Sequence, residues 1–301
     1  MSEIDFTGRV ALVTGAGGGI GRAHALLLAE RGARVVVCDV GTTPEGTPAA
    51  EAVVAEIEAA GGSAVPSTAS IATAEGGKAA VDAALGAYGR LDIVLHNAGI
   101  LRDRSFAKMT ESDVDDVMAV HLSGAFNVLR PAWPVMQSQK YGRVLLTTSA
   151  SGLFGTFGQA NYAAAKAGLI GLMNVLAAEG ARHGIQVNAL SPTARTQMTE
   201  GLLGELAEHF DPRHIAPVAA YLVSERCALT HHILSAGGGR VARIFVGTTP
   251  GHYLGREPAT PEAVEAALDE VLSLDSYVVP DDGRGEVELI SRALLGEVNG
   301  R

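Results

Sequence analysis

The apolar run Arg9-Val10-Ala11-Leu12-Val13 enters a turn in which five of eight residues are glycine, Thr14-Gly15-Ala16-Gly17-Gly18-Gly19-Ile20-Gly21. A helical pattern then continues from about Gly21 to Arg31, and a second apolar run spans Ala33 to Cys38. Unbroken apolar runs of this length suit strands buried on both faces. The same rhythm continues along the chain. Helical patterns cover Ala49 to Ala60, Glu75 to Tyr88, Glu111 to Met136 and Asn161 to Arg182. Strand patterns cover Ser63 to Pro66, Leu91 to Leu95, Gly142 to Thr148 and Ile185 to Leu190. Such alternation predicts an α/β fold, a doubly wound parallel sheet of Rossmann type with helices on both faces. Residues 1–240 form the main domain on this reading, and Gly41 to Pro48 is an internal loop. After Gly237-Gly238-Gly239 the pattern restarts, with a strand from Val241 to Val246 and a helix from Pro261 to Leu274 capped by Thr260. Residues 241–301 are expected to fold onto the main domain as a C-terminal extension.

The turn at Gly15, Gly19, Ile20 and Gly21 carries the first functional signal. Glycines let a backbone approach a pyrophosphate, and the helix that follows offers free N–H groups and a positive dipole end. Asp39 closes the second strand, where a carboxylate can accept both ribose hydroxyls of NAD and repel the 2′-phosphate of NADP. This favours NAD as cofactor.

Tyr162 and Lys166 are four apart in a helical segment and therefore share a face. An ammonium beside a phenol favours phenolate, which is expected to bring Tyr162 into the range for proton exchange. Ser149 stands thirteen residues before Tyr162 and could hold a substrate oxygen beside it. Ser151 is its rival, and the run Thr147-Thr148-Ser149-Ala150-Ser151 cannot choose between them. Asn97-Ala98-Gly99 follows the strand Leu91 to Leu95 and would let a cofactor pass close to the backbone.

Together these elements resemble the short-chain dehydrogenase/reductase family. The resemblance rests on Thr14-Gly15-x-x-x-Gly19-x-Gly21, Asn97-Ala98-Gly99, Ser149, Tyr162-x-x-x-Lys166 and the Ser191-Pro192 turn, and covers residues 6 to 240. A narrower likeness is to the (3R)-hydroxyacyl-CoA dehydrogenase part of peroxisomal multifunctional enzyme type 2. It is carried by Asn97 to Phe106, Val120-His121-Leu122-Ser123-Gly124-Ala125-Phe126, Phe157 to Tyr162 and Thr260 to Val264. It implies an NAD-dependent oxidoreductase acting on a secondary alcohol, a 3-hydroxyacyl-CoA. A dehydrogenase of a hydroxysteroid or other bulky alcohol, and a non-catalytic dinucleotide-sensing protein, remain the alternatives.

The resemblance also implies roles for Ser149, Tyr162 and Lys166 in catalysis. Ser70, Pro192 and Thr196 are implied to line the cofactor, beside Gly15, Gly19, Ile20, Gly21, Asp39, Asn97, Ala98, Gly99, Tyr162 and Lys166. His121 stands where the family usually has Asn, and serves either a proton relay through its carbonyl or a structural end. An acidic residue common after the third strand is Ala69 here, and Pro192-Thr193 replaces a Pro-Gly turn. Leu202, Leu203 and Leu206, in the Thr196 to Asp211 loop, suit an apolar ligand or helix packing.

Composition bounds the partners. The formal charge is −10, the wrong sign for a nucleic-acid binder. Two cysteines are too few for a disulfide framework or a zinc cluster, and no metal is expected. No apolar stretch matches a membrane span and the first residues lack a signal-peptide pattern, so a cytoplasmic protein without membrane attachment is expected. The expected partner is a small molecule, an acyl thioester. The Ala- and Gly-rich helix from Asn161 invites close packing against a second copy, as a homodimer or higher homo-oligomer.

Overall fold

The structure, a computed structural model, describes residues 3–196 and 204–295. The chain divides into two compact units, Met1–Arg243 and Ile244–Arg301.

In the first unit, β1 (Val10–Thr14), β2 (Arg34–Cys38), β3 (Ser63–Ser67), β4 (Ile93–His96), β5 (Gly142–Thr147), β6 (Ile185–Thr193) and β7 (Ile233–Gly237) are followed by β8 (Arg240–Ile244). Their order in the sheet is β3-β2-β1-β4-β5-β6-β7-β8. Every pairing from β3 through β7 is parallel. All residues of β1, β4 and β5 are buried, which is why they read as continuous apolar runs. The predicted doubly wound sheet is therefore present. Strands β1 and β4 lie side by side although two strands separate them in sequence. That reversal of winding opens a crevice at their carboxyl ends, the usual ligand position in such sheets.

Helices α1 (Gly19–Glu30), α2 (Ala49–Ala59) and α8 (Ala216–Leu222) share a core cluster with β1 and β2. Helix α1 buries Gly21, His24, Ala25 and Leu28, one stripe at the helical repeat. Helix α3 (Ala74–Tyr88) begins with the Thr73 hydroxyl accepting from Gly76 N–H at 3.1 Å. It packs against α5 (Gly124–Gln139). Helix α6 (Ala150–Phe154) packs against α7 (Ala160–Gly180). The single helix predicted over Glu111 to Met136 is broken. Helix α4 (Glu111–Met118) ends in a π turn, Ala119–Ser123, before α5 begins. The apolar repeat hides this, because one inserted residue barely disturbs it.

His24 is fully buried on α1 and neither ring nitrogen has a partner. Burial pushes its pKa down to about 4 from 6.5. The folded state keeps the ring neutral while the unfolded chain takes up a proton below 6.5, so stability is lost as pH falls from 6.5 towards 4. Thermal midpoints at pH 7.5 and 5 should show this drop, and His24→Leu should shrink it. An equal drop in the variant would remove His24 as a cause.

In the second unit, Thr248 and Val278 form an antiparallel bridge and Phe245 stacks on Tyr277 at 5.2 Å. The predicted helix after Thr260 is present as α9 (Pro261–Ala266) and α10 (Leu268–Val271), with Thr260 Oγ1 accepting from Ala263 N–H. Helix α11 (Gly283–Leu294) borders a cavity of about 380 Å³ with the 248–253 segment.

Candidate active site

Two turns leave the sheet side by side at the crevice. After β1, Gly15 adopts φ +65° and Gly19 φ +51°, conformations that favour glycine. A Cβ on Gly15 would come within 2.6 Å of Ala98 Cα. The side chain of Asn97 donates to the Gly15 carbonyl at 3.3 Å. Thr14 Oγ1 accepts from the N–H groups of Asn97 and Ala98 at 3.0 and 3.1 Å. The Gly15 to Gly21 turn and Asn97-Ala98-Gly99 are thus one bonded unit.

The start of α1 fits a bound diphosphate. Its N-cap, Gly18, makes no side-chain cap and its first turn holds no acid. Helices α3 and α4 are instead capped by Thr73 and Thr110. Bare amides at a helix start attract anions. A Cβ on Gly18 would meet nothing within 4 Å, so the approach is open. Thr196 arches back to this helix start, with its methyl 3.1 Å from where a Gly19 Cβ would stand. Ile20 packs its side chain on the core and leaves its backbone to the turn.

Asp39 follows β2 and is half-buried. One carboxylate oxygen accepts from Gly17 N–H at 2.8 Å and the other from Gly41 N–H at 2.7 Å. It therefore ties the glycine turn to the residues that follow β2. Ser70 is exposed beyond β3, and its Oγ accepts from Ala72 N–H at a long 3.4 Å. Pro192 lies within β6, which runs on to Thr193.

The chemical groups meet beyond β5. Ser149 is the N-cap of α6, its Oγ accepting from Ser151 N–H at 3.2 Å. The same hydroxyl is near enough to the Tyr162 phenol to oppose the rise that burial gives its pKa. Ser151 is spent elsewhere: its hydroxyl meets Thr156 at 2.8 Å and donates to Gln159 Oε1 at 2.7 Å. Gln159 in turn donates to Asp103 at 2.7 Å. The bonds of the two hydroxyls differ: Ser151 is held by Thr156 and Gln159, and Ser149 caps α6.

Tyr162 and Lys166 share a face of α7, with Lys166 Nζ 5.6 Å from the phenol ring centroid. Asn161 orients this helix start by donating to the carbonyls of Arg102 and Asp113. Lys166 is 2% exposed, and its ammonium donates to the Thr147 carbonyl at 2.6 Å. Burial pushes its pKa down to about 7. Among the described residues no carboxylate pairs with it. A dry cation of this kind suits a hydroxyl-rich or anionic ligand. Burial also pushes Tyr162 above its ordinary value, with Ser149 opposing and Asp103 assisting. The lowering expected from Lys166 is not found: desolvation governs the phenol and raises its pKa.

His121 lies on the π turn and is fully buried. Its Nε2 sits 3.0 Å from Ile100 N and 2.9 Å from Ile100 O. Its ring stands edge-on to Tyr162 at 5.1 Å. A Cβ at Gly99 would collide with this imidazole, a second reason for glycine there. The sequence reading missed His96, whose Nε2 meets the His121 carbonyl at 2.8 Å. The apolar run that marked β4 ends one residue short of it. Leu202 and Leu203 lie outside the described residues, and Leu206 is 60% exposed.

Comparisons with known proteins show the family of the chain. The family model for short chain dehydrogenases matches residues 9–205. A short-chain type dehydrogenase/reductase of Mycobacterium tuberculosis is 47% identical over 271 residues, covering 88% of this chain and 94% of that protein. The mouse peroxisomal multifunctional enzyme type 2 is 44% identical over 286 residues; the match covers 93% of this chain but 38% of that enzyme. A 3-oxoacyl-[acyl-carrier-protein] reductase of Synechocystis is 39% identical over 245 residues, 78% of this chain and 98% of that protein.

Proposed function

The chain belongs to the short-chain dehydrogenase/reductase family, and from that premise we propose that it oxidises the secondary alcohol of a 3-hydroxyacyl thioester with NAD as hydride acceptor. One observation carries the reading: Tyr162, with Ser149 and Lys166 near it, abuts the His121 ring, which lies against Gly99 in the turn packed on Gly15. The thioester is supported by the likeness of the 97–106 and 157–162 segments to the hydroxyacyl-CoA branch. A relative named as a 3-oxoacyl reductase supports it too.

When bound, the dinucleotide supplies the hydride acceptor and a positive charge next to the phenol. Ser149 and Tyr162 hold the substrate hydroxyl, and Tyr162 takes its proton. Lys166 stabilises the phenolate and holds the ribose. The backbone amides of Gly19 to Gly21 would hold the diphosphate, with Asn97-Ala98-Gly99 as the other wall, Pro192 at the end of β6 and Thr196 beyond it. Asp39 would accept from the ribose.

Two measurements test this. NAD reduction should occur with 3-hydroxyacyl-CoA substrates of graded chain length. Reduction with hydroxysteroids alone would move the substrate class, and none with any alcohol would favour dinucleotide sensing. Separately, Asp39→Asn should raise the KM for NAD about ten- to hundredfold, the worth of a hydrogen bond to a charged group. The NAD-to-NADP preference should shift towards NADP. Damage to the Gly17 turn would affect both cofactors alike, so an unchanged ratio would remove Asp39 as the selector.

A further inference from the structure

We infer that His96 is a positioning residue for the proton transfer at Tyr162, tying the head of the glycine turn to the π turn that carries His121. This inference rests on the function proposed above. His96 is the last residue of β4 and is fully buried. Its Nε2 lies 2.8 Å from the His121 carbonyl and its Nδ1 lies 3.5 Å from Thr14 Oγ1.

The directions of these bonds follow from which atoms can donate. A carbonyl only accepts, so His96 Nε2 carries the proton and donates to it. Nδ1 is then a bare acceptor and receives the Thr14 hydroxyl proton. Thr14 keeps both lone pairs for the Asn97 and Ala98 amides, which it already holds. Every polar atom of the two side chains has a partner. Burial pushes the His96 pKa down to about 4, with the nearby Lys166 assisting, so the ring stays neutral at working pH. The titratable groups facing it are Lys166 and His121.

The consequence reaches Tyr162 through His121. The π turn adds one residue to the helical path and needs something to hold it in place, and such turns recur at functional sites. His96 grips this turn by its carbonyl. The His121 ring is then clamped between the Ile100 backbone and the Tyr162 ring. One imidazole thus joins the ends of β1 and β4 to the wall behind the proton-transferring phenol. His96 itself does not touch Tyr162.

Two variants separate positioning from bulk. His96→Gln keeps a neutral donor at similar reach. His96→Leu keeps the volume but leaves the Thr14 hydroxyl and the His121 carbonyl without it. The Leu variant should lose about tenfold or more in kcat, as small misplacements near reacting groups do. Its KM for NAD should stay within about twofold, and Gln should recover most of kcat. Full kcat in the Leu variant, or equal loss in both variants, would overturn the inference. Nitrogen-15 histidine NMR reads the same placement without turnover. His96 should show the Nε2–H tautomer and no titration from pH 9 to 5.5, and the His121 ring signals should move in the Leu variant and not in the Gln variant. An Nδ1–H tautomer, or unmoved His121 signals in the Leu variant, overturns the inference whatever the reaction. An absence of NAD reduction by the unaltered protein, with these NMR results intact, counts against the proposed reaction alone.

Discussion

A Tyr162→Phe protein should fold with its melting temperature nearly unchanged, bind NADH as before and lose about 10²–10⁴ of its turnover. That range is what a positioned general acid or base contributes. The substitution removes one oxygen, and the ring keeps its edge contact with His121 at 5.1 Å. The Ser149 hydroxyl still accepts from Ser151 N–H and is only half-buried, so the substitution orphans no buried group. Because burial holds the phenol above its ordinary value, its base form grows as pH rises. Alcohol oxidation by the unaltered protein should therefore climb from neutral into alkaline pH, and the residual rate of the variant should lose that climb. NADH titration by fluorescence together with kcat across pH measures all three quantities. Turnover within tenfold of normal would exclude Tyr162 as the proton acceptor.

The parallel sheet was legible because β1, β2, β4 and β5 are buried almost throughout, so burial wrote itself as uninterrupted apolar runs. Strand β7 was not, because Ile233-Leu234-Ser235-Ala236-Gly237 mixes small and polar residues and follows two histidines. The π turn was invisible for another reason. Its insertion shifts hydrogen bonds, while the spacing of Val117, His121, Ala125 and Val128 still reads as one buried stripe. At the site, the four-residue spacing of Tyr162 and Lys166 is a local fact that the helix merely realises. What distinguishes Ser149 from Ser151 is not local. It depends on Thr156 and Gln159 taking the Ser151 hydroxyl, and on Asp103 from a distant segment taking Gln159. The direction of the Tyr162 shift escaped for the same reason: a neighbouring ammonium is visible in sequence, whereas the degree of desolvation is a property of the packed whole.

Lys166→Met should abolish turnover and, in the cofactor-free protein, raise stability. The two effects have one cause. Lys166 is 2% exposed, and no carboxylate among the described residues pairs with it. Removing a buried ion from water costs several kcal/mol, against about 1–3 kcal/mol for leaving the Thr147 carbonyl with one bond fewer. Met fills the same space without charge, so the balance favours the variant. The pH dependence gives the signature. The folded protein holds Lys166 at about 7 against 10.5 in the unfolded chain, so the unfolded chain binds the extra proton between those values. Stability from this group therefore rises with pH from about 7 to 10.5. The Met variant should lack that rise, and its melting temperature near pH 7 should be higher, at about 2–4 °C per kcal/mol. Bound NAD should narrow the gap, because the ribose gives the ammonium a partner in the unaltered protein and gains nothing from the thioether. Melting curves of both proteins at pH 7 and 9, with and without NAD, decide the matter. A Met variant that melts lower than the unaltered protein at pH 7 without cofactor would mean that Lys166 supports the fold instead of being held in strain for catalysis.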